Sequence, residues 1–234
     1  MSLDGTNPPS GKDIPMFHLR SSTLPIALHV LNAPDARMFA HLLSDPANGH
    51  SGPDFDTPWA EGAISRQRAA AAVPTLTDAS GGTVLSGPKS CNLGIYHVDP
   101  SSGSETMIGL GGYGAIKELK REGGKIRAGD VGVLLDTRHR GRGYAVEAMK
   151  LSLDFGAAPV SEGGLQLDAI SITTLESNTA MRRLAEDRLA CKGGILRPAE
   201  FEKGEQEVYW EITAAEWRRK RAQGRHRSYC ILLL

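Results

Sequence analysis

The sequence predicts a mixed α/β (α+β) domain with a mostly antiparallel central sheet flanked by helices. Three observations carry this. Short runs that alternate apolar and polar residues recur along the chain. Between them lie longer segments with the helical 3.6-residue period. Three of the strand runs follow one another with only turns and a charged stretch between them, which suits antiparallel neighbours. The strand–helix–strand units at 130–174 and 167–213 require at least one parallel pairing.

Ile26, Leu28 and Val30 alternate with Ala27, His29 and Leu31 and form the first strand. Pro34 and Asp35 open a helix, the proline at its first turn and the acid at the positive end of its dipole, with Met38, Leu42 and Leu43 as its apolar face. Residues 44–58 are loop material, and a second helix runs from about Trp59 to Ala72, ended by Pro74. Strands follow at Leu93–Val98 and Thr106–Leu110, joined by a turn at Pro100–Ser104. The charged stretch Lys117–Lys125 separates them from a strand at Asp130–Leu135. A helix runs from about Gly143 to Phe155, stopped by Gly156 and Pro159. A strand at Leu167–Thr174, a helix at Asn178–Leu189 and a last strand at Glu207–Thr213 complete the order β-α-α-β-β-β-α-β-α-β. Residues 1–22 read as a loose arm, 23–217 as one domain with a flexible insertion at 74–88, and 218–234 as a basic tail.

The 234 residues are enough for one domain with a real core, and 40% hydrophobic with 23% charged residues is ordinary for a globular protein. The 27 basic residues match the 27 acidic ones, which argues against a surface built for nucleic acid. The three cysteines, Cys91, Cys191 and Cys230, form no CxxC pair, so neither a disulfide framework nor a zinc site is expected from them, and no metal is expected as a cofactor. No apolar run is long enough for a membrane span, and the polar N-terminus is unlike a signal peptide. A cytoplasmic protein is expected; the basic run Arg218–Arg227 reads as a frayed solvated terminus, with a nuclear address as the alternative.

The informative segment runs from Asp130 to Met149. A strand delivers the chain to a loop in which Gly141 and Gly143 remove Cβ atoms where a backbone must approach a ligand. The helix that follows carries unpaired N–H groups and roughly half a positive charge at its start, and Arg138, His139, Arg140 and Arg142 add charge there. A diphosphate suits such a loop.

Arg138-His-Arg-Gly141-Arg-Gly143 resembles the Arg/Gln-x-x-Gly-x-Gly/Ala signature of the GNAT acyltransferase superfamily. The run Val131–Met149 is similar to its RimJ/RimL-type branch, and a weaker likeness extends over about 24–217. The resemblance implies the GNAT acyl-CoA N-acyltransferase fold and transfer of acetyl from acetyl-CoA, as co-substrate, to a primary amine of a protein N-terminus or small molecule. It implies that Arg138, His139, Arg140, Gly141, Arg142, Gly143, Tyr144 and Ala145 hold the CoA pyrophosphate. By the same likeness Val133, Leu134 and Leu135 line the pantetheine arm, a backbone N–H at Leu135 meets the oxyanion, and Asn178 orients the cysteamine end. Asn178 equally suits a helix N-cap. A monomer or homodimer is expected, with an amine acceptor and no membrane or nucleic-acid partner.

Amine acetylation needs a base. The resemblance points to Asp130, with strand-edge solvation as its plain alternative. Glu147 matches a common family residue and suits a structural role, and His97 and His139 can titrate near neutrality. Members often use a tyrosine on the helix after Asn178 as acid, but Ala185 stands there, which leaves Tyr209 as the substitute or a weakened catalyst. Two rival functions remain: a non-catalytic CoA-binding protein of the same fold, and a dinucleotide-binding oxidoreductase suggested by Gly109-Leu-Gly111-Gly112-Tyr-Gly114. The variable stretch 44–88 is the expected acceptor wall.

Overall fold

A computed structural model describes residues 17–49, 53–200 and 202–223, and the backbone of 230–233. The strands β1 (Phe17–Arg20) and β2 (Ile26–His29) form an antiparallel pair, and Leu19, Ile26 and Leu28 are fully buried. The stretch 17–20, assigned to the loose arm from sequence, is therefore part of the sheet. Its four residues gave too little periodicity to show this.

A short 3-10 turn at Ala33–Asp35 precedes α1 (Ala36–Ser44), whose buried face is Ala36, Phe39, Ala40 and Leu42, with Met38 and Leu43 only partly buried. The next helix, α2 (Thr57–Ala71), is capped by Asp56, whose carboxylate accepts from the Trp59 amide at 2.8 Å. Both helices pack Phe39, Leu42, Ala60 and Ile64 against Tyr96 and Met107. Residues 74–88 carry a two-stranded sheet, β3 (Leu76–Thr77) and β4 (Val84–Ser86).

The centre of the fold is an antiparallel run of β5 (Cys91–Val98), β6 (Glu105–Arg121) and β7 (Gly124–Val131). The charged stretch 117–125, expected to separate two strands, is instead the tip of the β6–β7 hairpin. Its side chains are mostly exposed, so no apolar face marks it; the backbone ladder continues to Arg121 and Gly124, and exposed ion pairs lie along it, Lys125 to Glu118 at 2.9 Å and Arg121 to Glu211 at 2.7 Å. The strand expected over Asp130–Leu135 is broken. The chain leaves β7 after Val131 and resumes at β8 (Leu134–Leu135), which pairs with Gly109 and Leu110 of β6. The glycine run 109–114 lies inside β6 with no helix after it, which removes the dinucleotide-binding reading.

Next come α3 (Tyr144–Ala157) and β9 (Ala169–Leu175), which returns parallel to β7 over Ala128–Asp130. A Cβ on Gly156 would sit 1.8 Å from the Tyr113 hydroxyl. This glycine lets α3 lie close on the sheet and does not end the helix. The segment after β9 starts as α4 (Thr179–Arg183) and widens into a π turn at Leu184–Arg188. The strands β10 (Ile195–Pro198) and β11 (Gln206–Thr213) follow, β10 unforeseen because Ile195 and Leu196 are exposed. Helix α5 (Ala214–Gln223) carries the first part of the presumed tail, and β12 (Cys230–Leu233) pairs with β1. The sheet order is β10-β11-β9-β7-β6-β5-β2-β1-β12, with β8 on β6. Cys91 and Cys191 are buried and free, and no helix is long and apolar enough to cross a membrane among the described residues.

Asp154 on α3 links this core to α5. It is 7% exposed, accepts from the Trp217 indole N–H at 2.8 Å and pairs with Arg221 at 3.0 Å. Burial nonetheless pushes its carboxyl up to about 7, against the pull of Arg221 and Trp217. The folded state therefore holds a proton that the unfolded state, near the usual value of about 3.9, has released. Its contribution favours folding most below about pH 4, declines as pH rises towards 7 and is flat above that. The melting temperature of Asp154→Asn, measured by calorimetry across this range, should lack that decline. A wild-type slope retained in the variant would assign the effect elsewhere.

Candidate active site

Two strands separate at the middle of the sheet. The last parallel partners of β7 and β9 are Asp130 and Ser171. Beyond them β8 goes with β6, while β9 continues beside β11 to Leu175. The chain thus opens a wedge with the free edge of β8 on one side and the end of β9 on the other. Leu134 and Leu135 lie on that edge, and Val133 sits in the break just before it. At the end of β9, Asn178 is exposed and caps α4, accepting from the Met181 amide at 3.1 Å.

The loop after β8 is organised by Asp136, which the sequence did not single out. Its carboxylate is 1% exposed, accepts from the Arg138 amide at 2.8 Å and grips the Arg138 guanidinium at 2.6 Å. These bonds hold its carboxyl down at about 2. The amides of His139 and Arg140 close back on Asp136 and Thr137. Three of the amides expected to face a pyrophosphate, those of Arg138, His139 and Arg140, are therefore spent within the loop. The amides of Gly141 to Val146 take no partner among the described residues. Gly143, at φ +82, is the α3 N-cap and brings no side chain to satisfy them. The run of unpaired amides thus begins only at Gly141, because the first half of the loop forms a 3-10 turn.

The basic side chains also divide. Arg140 reaches back, donating to the Leu135 carbonyl at 3.3 Å and to the Ala47 carbonyl and the Asn48 side chain. It braces the loop against the segment after α1. Arg142 is exposed. His139 keeps a buried Nδ1 without a partner among the described residues, and burial lowers its ring below the usual histidine range. His97 stands 6.4 Å from the His139 ring and 6.0 Å from that of Tyr144. Glu147 accepts from the Ser21 and Thr23 hydroxyls and ties the β1–β2 turn to α3.

Asp130 sits at the point of the wedge. Ser171 and Thr173 donate their hydroxyls to its Oδ1 at 2.8 and 3.0 Å, and Oδ2 takes no hydrogen bond among the described residues. Burial raises its carboxyl above the usual range, against those two hydroxyls and the nearby Lys117 and Arg197 charges. Asp130 and Tyr209 line one open cavity of about 700 Å³. Tyr209 donates to Glu211, lies under the Arg197 guanidinium at 4.3 Å, and has its phenol pushed up to about 12. A phenol so raised is a poor proton source for a departing thiolate of ordinary pKa near 8.5. Ala185, where the resemblance implied an acid, is fully buried in the π turn. Of the expected acceptor wall, residues 47 and 48 touch the loop through Arg140, while 81–88 line another cavity of about 1130 Å³ at the far end of β7.

The sequence profile described as acetyltransferase (GNAT) domain matches residues 26–187, more than half of the chain. The chain belongs to the GNAT acetyltransferase family. No curated protein matches it. Among solved structures it resembles a GNAT-family acetyltransferase from Bacillus anthracis, with a TM-score of 0.56 and 15% identity over 85% of this chain and 99% of that one. It also resembles the spermidine N-acetyltransferase of Vibrio cholerae in complex with CoA and spermine (TM-score 0.57, 15% identity, 83% and 98% of the two chains). RimL, a ribosomal L7/L12 alpha-N-protein acetyltransferase, is similar at TM-score 0.57 with 12% identity over 85% and 94% of the chains. At these identities the likeness shows the fold.

In this GNAT chain the loop prediction is specific. Gly141 has φ +76 and open space above it. Gly141→Ala adds a methyl group and a backbone cost of about 1–2 kcal/mol. Gly141→Asp also places a carboxylate among the unpaired amides. CoA affinity measured by calorimetry should fall about tenfold or more in the Asp variant and less in the Ala variant, since tenfold corresponds to about 1.4 kcal/mol. Unchanged affinity in Gly141→Asp would take the loop out of the site.

Proposed function

We propose that the protein transfers the acetyl group of acetyl-CoA directly to a primary amine, of a protein N-terminus or a small molecule. The observation that supports this most is the juxtaposition of three features: the unpaired amides of Gly141–Val146, the opened edge at Leu134–Leu135, and Asp130 at the point of the wedge. The amides and the start of α3 suit a pyrophosphate. The β8 edge suits an extended amide arm that pairs as a strand, and a backbone N–H near Leu135 suits the oxyanion. The amine nitrogen attacks the thioester carbonyl, the C–N bond forms, and the C–S bond breaks. Asp130 takes the proton that the amine loses, directly or through water. The CoA thiolate leaves, and Tyr209 is the weaker candidate to protonate it, so release as thiolate is favoured. Asn178, with its carbonyl engaged as a cap, keeps its amide N–H₂ for the cysteamine end.

Acceptor specificity belongs to the open cavity beside Asp130, whose lining mixes Lys117, Arg121 and Arg197 with Glu200, Glu202 and Glu207. The test is a thiol-release assay with acetyl-CoA and a panel of peptide N-termini, polyamines and amino acids, run beside acetyl-CoA calorimetry. Binding with turnover on one class supports the proposal. Binding without turnover on any amine favours a non-catalytic CoA-binding protein. No binding at millimolar acetyl-CoA sinks both.

A further inference from the structure

Strand pairing creates a second cluster of chemistry on β1, β2 and the start of β6. His18 and His29 are direct cross-strand partners with ring centroids 5.5 Å apart. Both turn Nε2 towards Glu105, His18 at 3.3 Å from Oε1 and His29 at 2.9 Å from Oε2. The three ligand atoms lie within 4.8 Å of one another.

The His29 ring is fixed from both sides. Its Nδ1 is 3.1 Å from the Val30 carbonyl, which can only accept, so that nitrogen carries the hydrogen. Its face stacks on Tyr96 at 3.7 Å and 11°, and the Tyr96 hydroxyl is itself held by Asp35 at 2.7 Å. In the neutral ring the Nε2 lone pair therefore faces a carboxylate oxygen. That contact repels unless a cation stands between the two. Carbonyl-bound Nδ1–H with a free Nε2 is the arrangement that orients metal-binding histidines.

We propose that His18, His29 and Glu105 bind a divalent transition-metal ion of the zinc class. Two imidazoles and a carboxylate form a recurrent donor set for zinc. Bonds of about 2.0–2.1 Å in a tetrahedron place ligand atoms about 3.4 Å apart, and the two histidine–glutamate contacts, 3.3 and 2.9 Å, are near that edge. The side chains are 17%, 18% and 27% exposed, so an ion and a solvent ligand can reach the fourth position. Magnesium and calcium, which prefer oxygen donors, do not suit the set. The ion would clip β1 to β2 and to β6, positions far apart in sequence, and so hold the outer strands of the sheet. The proposal is independent of the acetyl-transfer reading. No local spacing marks this set, because the ligands come from three strands and none is a cysteine.

The test uses the full chain without an affinity tag, stripped with a chelator and titrated with Zn²⁺ by calorimetry, with metal content read by mass spectrometry. One zinc per chain at micromolar or tighter affinity is expected, with a raised melting temperature that Mg²⁺ does not reproduce. Glu105→Gln and His18→Gln, each checked for folding by circular dichroism, should lose more than the roughly 10- to 100-fold that an outer-shell change costs. If wild type binds no tighter than millimolar, or both variants bind as wild type does, the cluster is a protonated histidine–carboxylate ion pair and the proposal fails. Should one variant not fold, the other decides.

Discussion

Asp130→Ala should lower kcat by about 10² to 10⁴, the range that a positioned base contributes, with acetyl-CoA affinity little changed. Asp130 lies at the last parallel pairing before β7 and β9 part, and its raised carboxyl moves it towards the value a base needs. The sign of the pH effect follows. A protonated carboxyl cannot accept a proton, so the wild-type rate should rise with pH through the Asp130 pKa. In Asp130→Ala that limb disappears and only the ionisation of the acceptor amine remains. The deficit should therefore be smallest below the Asp130 pKa, where the wild-type carboxyl is itself protonated, and should grow to its full size as pH rises through it, because the amine ionisation is common to both proteins. A variant whose pH–rate profile coincides with wild type would exclude Asp130 as base. Ser171 and Thr173 are positioning residues for the same group: they hold Oδ1 and leave Oδ2 free of hydrogen bonds among the described residues. Thr173→Val removes one hydroxyl that favours the charged form, so the acid limb of the profile should move to higher pH. A merely structural role for Thr173 would not move it.

Asp136→Ala should cost both stability and CoA binding. The carboxylate caps the 3-10 turn at Thr137–His139, and loss of such a cap costs about 0.5–2 kcal/mol. The Arg138 guanidinium is 68% exposed and returns to water at little cost, so the larger effect is on the loop's order. Each residue that must be fixed again on binding costs about 1–2 kcal/mol. Two such residues weaken CoA binding roughly 10²-fold. Asp136→Asn keeps an acceptor for the Arg138 amide and should recover part of both losses. The wild-type carboxyl is held at about 2, so its stabilisation is complete above the usual carboxylate value and is lost as pH falls from about 4 towards 2. Equal CoA affinity in wild type and Asp136→Ala, with only the melting temperature reduced, would separate the turn from the binding loop.

What could be read from the sequence was whatever a local pattern encodes. The strands expected at 26–31, 93–98 and 207–213 are present as β2, β5 and β11, each with several buried apolar residues, and α2 and α3 have caps or apolar faces that mark their ends within one or two residues. The glycines of the loop were legible for the same reason: φ +76 and +82 are conformations that glycine takes without strain. The resemblance carried by 138–143 led to the family, and residues 26–187 bear it out.

The rest was decided by contacts between distant segments. Arg121 and Lys125 lie in strands because the β6–β7 ladder runs out to Arg121 and Gly124, and no run of five residues encodes a partner strand. Phe17–Arg20 is a strand because it has β2 and β12 as neighbours. The basic residues Arg218, Lys220 and Arg221 are not a free tail: they reach the Ala157 carbonyl, the Ala190 carbonyl and Asp154. At the site, the sequence by itself determined a glycine-containing basic loop between a strand and a helix. Which of its amides are free follows from a local 3-10 turn capped by Asp136, whereas only the tertiary structure decided where the strands part. It also brought His18, His29 and Glu105 together. A loop's conformation follows from its own residues, whereas a cleft or a cluster exists only where separate strands meet.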